Sequence, residues 1–116
     1  MSDASRPDLL AVLITAGSAE EAQTVARGLV ERRLAACVNI VPAIRSIYHW
    51  DGAIQDDAEV LLIAKTTRAR YDALEAAVKE LHSYDTPEVV ALEAQRVEAA
   101  YGKWLADAVT APRDEP

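Results

Sequence analysis

The sequence predicts an α+β domain in which a strand–helix–strand unit occurs twice and a further helix closes the chain. Three observations predict it. Apolar runs of strand length alternate with apolar stripes of helical period. An Asp-Gly pair between two strand-like runs marks a hairpin. At 116 residues, 51% of them hydrophobic and 27% charged, the chain can bury one core and keep a solvated surface.

Leu9-Leu-Ala-Val-Leu-Ile-Thr15 reads as a buried strand, broken by Gly17 and Ser18. Ser18 and Glu21, three residues apart, have the form of a capping box for a first helix. Ala22, Val25, Ala26, Leu29 and Val30 give that helix one apolar face, and Arg32 and Arg33 suit its negative end. A second strand begins at Ala36-Cys-Val-Asn-Ile-Val41. Pro42 has no N–H for a ladder, which predicts a bulge or a sheet edge before the strand resumes from Ile44 to Trp50. Asp51-Gly52 turns the chain. The return strand passes Asp56, Asp57 and Glu59 and becomes apolar at Val60-Leu-Leu-Ile-Ala64. Thr66 or Thr67 caps a second helix with the stripe Tyr71, Leu74, Val78 and Leu81. His82 to Pro87 is a loop, because Pro87 keeps Thr86 out of helical geometry. Glu88-Val-Val-Ala-Leu92 is a fourth strand, and a last helix places Tyr101, Trp104, Leu105 and Ala108 on one face.

This order is the split β-α-β, or ferredoxin-like, pattern: an antiparallel sheet with helices on one face. The domain is expected over residues 8–110, with flexible tails at 1–7 and 111–116. Two features exceed the pattern. The hairpin from Cys37 to Lys65 is far longer than two average strands require. Several strands are also apolar at consecutive positions, whereas a sheet half open to water alternates. A second copy of the chain is the expected cover for the other face.

Composition excludes some classes of function. A formal net charge of −7 with scattered Lys and Arg does not suit a phosphate backbone, so no nucleic acid is expected. The apolar runs are far short of the roughly 20 residues a membrane helix needs, and the first seven residues lack the form of a secretion signal. The single cysteine fits a reducing compartment. There is no Ser-His-Asp arrangement, Gly-rich phosphate loop or cluster with metal-ligand spacing, so no enzyme is expected.

Five segments, in order, resemble one family. Leu34-Ala-Ala-Cys-Val-Asn-Ile-Val-Pro42, Ile47-Tyr-His-Trp-Asp-Gly52, Lys65-Thr66, His82-Ser-Tyr-Asp-Thr-Pro-Glu88 and Tyr101-Gly-Lys-Trp-Leu105 are similar to the CutA family of divalent-cation tolerance proteins. The resemblance spans about Leu9 to Val109. It implies a ferredoxin-like subunit in a homotrimer whose long hairpins complete neighbouring sheets. It also implies a cytoplasmic protein that binds Cu(II) or another divalent cation, none being required for folding. The trimer is similar to that of the PII signalling proteins, which bind small molecules between subunits. Some relatives carry a thiol and a second histidine as candidate copper ligands. Ile14 and Leu81 stand at those positions here, Ser83 replaces a usual proline, and Gln95-Arg-Val-Glu98 replaces a Gly- or Asn-rich turn.

His82 and Cys37 are the candidate metal ligands, as neutral imidazole and thiolate. Each has a structural alternative: His82 as a residue at a helix C-terminus, Cys37 as a packed core residue. His49 reads as surface, and Asp56, Asp57 and Glu59 read as a solvated edge. Tyr48, Trp50, Tyr84 and Trp104 are expected at a subunit interface or in a cleft between subunits, with Lys65 and Glu88 supplying charge. Lys65 is expected near Glu88 or Glu59.

Overall fold

A computed structural model describes Arg6 and residues 8–110. In chain order it comprises β1 (Leu9–Ala16), α1 (Ala19–Glu31), β2 (Cys37–Trp50), β3 (Ala53–Thr67), α2 (Arg68–Leu81), β4 (Val89–Glu93) and α3 (Ala99–Ala108). The four strands form one antiparallel sheet in the order β2-β3-β1-β4, the split β-α-β topology the sequence predicts. The tails expected at 1–7 and 111–116 lie outside the described residues, Arg6 excepted.

The central strand explains the unbroken apolar run. Leu10, Val12, Ile14 and Ala16 face α1 and α2 and join Leu62, Ala64, Leu74 and Val78 in the main core. Leu9 points to the other face yet is also buried, lying against Gly102 of α3. With both faces covered at that end, alternation has no reason to appear. α3 thus takes part of a face that the sequence assigns wholly to a second copy.

Ser18 caps α1, its hydroxyl accepting the Glu21 N–H at 3.1 Å. The reciprocal arm of a capping box is not made, because the Glu21 carboxylate is turned elsewhere. Ala22, Val25, Ala26 and Leu29 are buried, but Val30 stays 43% exposed. Arg33 leaves the helix with φ 58, and the Leu34 and Ala35 amides both bond back to the Leu29 carbonyl. Arg32 pairs with Glu80 of α2 at 3.1 Å.

Asp51 (φ 54) and Gly52 (φ 76) form the expected hairpin turn. Pro42 fulfils both expectations: β2 is an edge strand, and its pairing with β3 shifts between Val41 and Ile44. Thr67 stands at the N-cap of α2 without a side-chain cap bond. Buried Thr66 instead donates its hydroxyl to the Leu34 carbonyl at 2.6 Å, tying the α1–β2 connection to the sheet. On α3, Leu105 and Gly102 face inward, whereas Tyr101 and Trp104 are 41% and 48% exposed. The face expected for that helix is therefore met only in part.

Leu62 has no exposure and lies at the middle of the core, so Leu62→Ala should cost about 2–5 kcal/mol in denaturant unfolding at fixed protein concentration. Glu98 gives a pH signature. Its carboxylate accepts the Tyr101 N–H at 2.8 Å, and the α3 amides hold its carboxyl below the usual value of 4.5. Stabilisation from a depressed folded value is complete above the unfolded value and is lost as pH falls through the folded one. α3 should therefore loosen below about pH 4.5, and Glu98→Gln should flatten that dependence in a helix-resolved hydrogen-exchange series.

Candidate functional site

Three elements converge where α2 ends. His82 is the C-cap of α2 in extended geometry, and its side chain has no exposure. Nε2 lies 2.7 Å from the Thr15 carbonyl of β1, which can only accept, so Nε2 carries the proton. Nδ1 is left as an acceptor, and it takes the Tyr84 N–H at 3.0 Å. Glu21 of α1 reaches the same loop. One of its oxygens accepts the Ser83 N–H at 2.7 Å and the other accepts the Gly17 N–H at 3.1 Å. Burial alone would raise the Glu21 carboxyl. The bonds from Ser83 and Gly17 outweigh burial and hold it below its usual value. Its carboxylate lies 3.7 Å from His82 Nδ1.

The anchored loop forms one wall of a cleft of about 890 Å³ against the root of the hairpin. Thr15, Tyr48, Trp50, Glu59, Tyr84 and Glu88 are among the residues lining it. Gly17 lets Tyr84 lie close, since a β-carbon there would sit 3.0 Å from the Tyr84 hydroxyl and push it aside. Tyr84 donates that hydroxyl to Glu59 at 3.3 Å, and its ring lies tilted on His82 with centroids 4.7 Å apart. Tyr48 donates to Asp57 at 2.5 Å, and this bond pushes its pKa up to about 12. Burial and then Glu59 raise that of Tyr84. Both tyrosines are therefore neutral donors at neutral pH.

The predicted residues divide into two groups. Tyr48, Trp50, Tyr84 and Glu88 meet at the cleft. Lys65, Cys37 and Trp104 do not. Lys65 is six residues along β3 from Glu59, roughly 20 Å at the rise of a strand, and it bonds Asn39. The expected approach of Lys65 to Glu88 or Glu59 is not made. Cys37 pairs with Lys65 across the β2–β3 ladder and is half-buried rather than a full core residue. Trp104 packs on Tyr101 at 5.4 Å, on α3.

The acidic run on β3 needs correction. Asp56 accepts a two-point bond from Arg45 at 2.7 Å, but Glu59 is only 8% exposed rather than at a solvated edge. Glu21 and Thr15 escape sequence reading altogether, because one has the form of a helix-cap residue and the other contributes a backbone carbonyl. Among the described residues, no three His, Cys, Asp or Glu side chains are grouped to hold a metal ion, and no helix is long and apolar enough to cross a membrane.

Residues 10–108 match the family model described as "CutA1 divalent ion tolerance protein". The chain belongs to this family. It is 51% identical over 94 residues to a divalent-cation tolerance protein CutA of Thermus thermophilus, covering 81% of this chain and 91% of that one. A solved structure of the Thermus thermophilus divalent cation tolerance protein superposes with a TM-score of 0.85 at 48% identity, over 86% of this chain and 97% of that chain. A structure from Archaeoglobus fulgidus, described as a periplasmic divalent cation tolerance protein CutA, has a TM-score of 0.85 at 36% identity, covering 88% and 99%. The α+β fold and the family assignment made from the five segments both stand.

Glu21 is the tie between α1 and the loop of this CutA1-family chain. Glu21→Ala should remove the bonds to the exposed Gly17 and Ser83 amides, costing about 0.5–1.5 kcal/mol because water can replace them in part. Faster amide exchange at Gly17 and Ser83, with the α2 core unchanged, is the expected result.

Proposed function

We propose that the chain acts as a cytoplasmic homotrimer of divalent-cation tolerance type, non-catalytic, that contacts divalent cations such as Cu(II). One observation carries the oligomer: large apolar side chains are left in water along the hairpin and the uncovered sheet face. Ile47, Trp50 and Ile54 are 66%, 59% and 63% exposed, and Val90 and Leu92 of β4 are 45% and 50% exposed. Apolar surface on this scale is the mark of an interface. The lone cysteine supports the reducing compartment.

His82 is the proposed ligand. Donation of Nε2–H to a backbone carbonyl is the arrangement that orients a metal-binding histidine and leaves the other nitrogen basic. A cation at Nδ1 would displace the Tyr84 N–H and find the Glu21 carboxylate beside it. Cys37 cannot join the same site within one subunit. It sits at the far end of the sheet, level with Ala11 through Lys65, whereas His82 is bonded to Thr15. Any Cys37 contribution would come from its own surroundings near α3.

A second reading, a small-molecule sensor of the PII kind, is favoured by the cleft itself, whose volume falls in the range of ligand pockets.

Sedimentation at micromolar concentration should give three times the chain mass of 12.6 kDa, and Ile47→Asp should lower it. A monomer at that concentration would remove the oligomer. Calorimetric titration with Cu(II) should show saturable binding, weakened about tenfold or more in a folded His82→Ala variant. Binding indifferent to His82 would remove that ligand.

A further inference from the structure

We propose that the cleft between the His82–Glu88 loop and the hairpin root binds a small organic cation, an ammonium or guanidinium compound, with Glu59 as its counter-charge. This deepens the small-molecule reading and rests on it. Glu59 is only 8% exposed, and among the described residues its one hydrogen-bond partner is a neutral phenol, the Tyr84 hydroxyl at 3.3 Å. Among the described residues no Lys, Arg or His forms an ion pair with it. A carboxylate withdrawn from water is costly unless a positive partner compensates it. The protein leaves that partner out, and the carboxylate lines an open cleft.

The rest of the wall selects the class of ligand. The basic residue lining the cleft is Arg45, and its guanidinium is already held at two points by Asp56. Asp85 and Glu88 add negative charge on the loop side. A phosphate or carboxylate compound would meet no uncommitted cation there. Tyr48, Trp50 and Tyr84 line the same cleft, and ring faces attract cations, most of all organic ones that shed water readily. A volume of about 890 Å³ far exceeds a bare metal ion, and the described residues offer no three-ligand cluster for one. Carboxylate, aromatic rings and room together fit an organic cation.

The test is calorimetric titration of the full chain with choline, agmatine and spermidine, beside two controls. 3,3-Dimethylbutan-1-ol has the shape of choline without its charge, and ATP is an anion. At least one cation should bind saturably, with neither control binding. Glu59→Gln, checked for fold and sedimentation, should weaken that binding about tenfold or more. Trp50→Ala changes a side chain that one chain leaves 59% exposed but that the proposed oligomer uses, so it too is checked by sedimentation, and with the oligomer intact it should weaken binding about three- to tenfold. It carries the test if Glu59→Gln fails to fold. Binding of ATP or the neutral compound without the cations would overturn the ligand class and keep the small-molecule reading. Binding of none of the compounds would overturn both. Dissociation of the oligomer in Glu59→Gln, with no cation bound by the parent protein, would assign the counter-charge to a side chain of another copy and overturn the proposal.

Discussion

The hairpin is longer than the sheet it belongs to, and most of what distinguishes the molecule follows from that mismatch. β3 has 15 residues, yet β1 pairs only with Val60–Thr67. The remaining stretch, Ala53–Glu59, has β2 as its partner and extends beyond the helices. An isolated two-stranded ribbon is marginal in water. Cross-strand bonds support this one, from Arg45 to Asp56 and from Tyr48 to Asp57. They do not cover its apolar side chains. Hence Ile47, Trp50 and Ile54 stand exposed in a chain that buries Val12, Ile14 and Leu62 completely. The same overhang leaves a re-entrant space at its root, and the loop after α2 closes that space into a cleft.

That loop is short and polar, so its shape depends on partners outside it. His82 binds it to β1 through a carbonyl, and Glu21 binds it to α1 through the Ser83 amide while its other oxygen holds the Gly17 amide before α1. Both anchors are charged or chargeable groups spent on backbone atoms. Such bonds are strong where water is scarce, and they fix a backbone path more tightly than apolar contact would. Tyr84 is thereby held over Glu59, whose place at the last position before the three-stranded part of the sheet puts it at the cleft floor.

Much of this was legible in the residues. Periodicity located every element, and Pro42 and Asp51-Gly52 gave the bulge and the turn because each has a strong local backbone requirement. Tyr48, Trp50, Tyr84 and Glu88, named together from the sequence with Lys65 and Trp104, line one cleft of the chain, and the other two lie away from it. What stayed hidden shares one physical reason, that it depends on contacts between segments distant in sequence. Glu59 reads as solvated within an acidic run, and only the loop 25 residues away buries it. Thr66 has the form of a helix cap until the Leu34 carbonyl, 32 residues away, claims its hydroxyl. Lys65 was placed by charge alone, and charge carries no position along a strand. Tyr101 and Trp104 follow a helical period, but the chain offers them no surface that buries them.

The metal and organic-cation readings meet at one residue. Tyr84 gives its backbone N–H to His82 Nδ1 and its side-chain hydroxyl to Glu59. A cation that took Nδ1 would have to displace that amide, and the ring could not keep both its stacking on His82 and its bond to Glu59 while the backbone moved. Glu59 would then lose the Tyr84 donor just as the cleft wall shifted. The two sites use different carboxylates, Glu21 behind the loop and Glu59 in front of it, so neither ligand need touch the other. Their affinities would still be linked, and by thermodynamic necessity in both directions, because each biases the same position of Tyr84. Under both proposals, the cleft would report on a metal bound outside it.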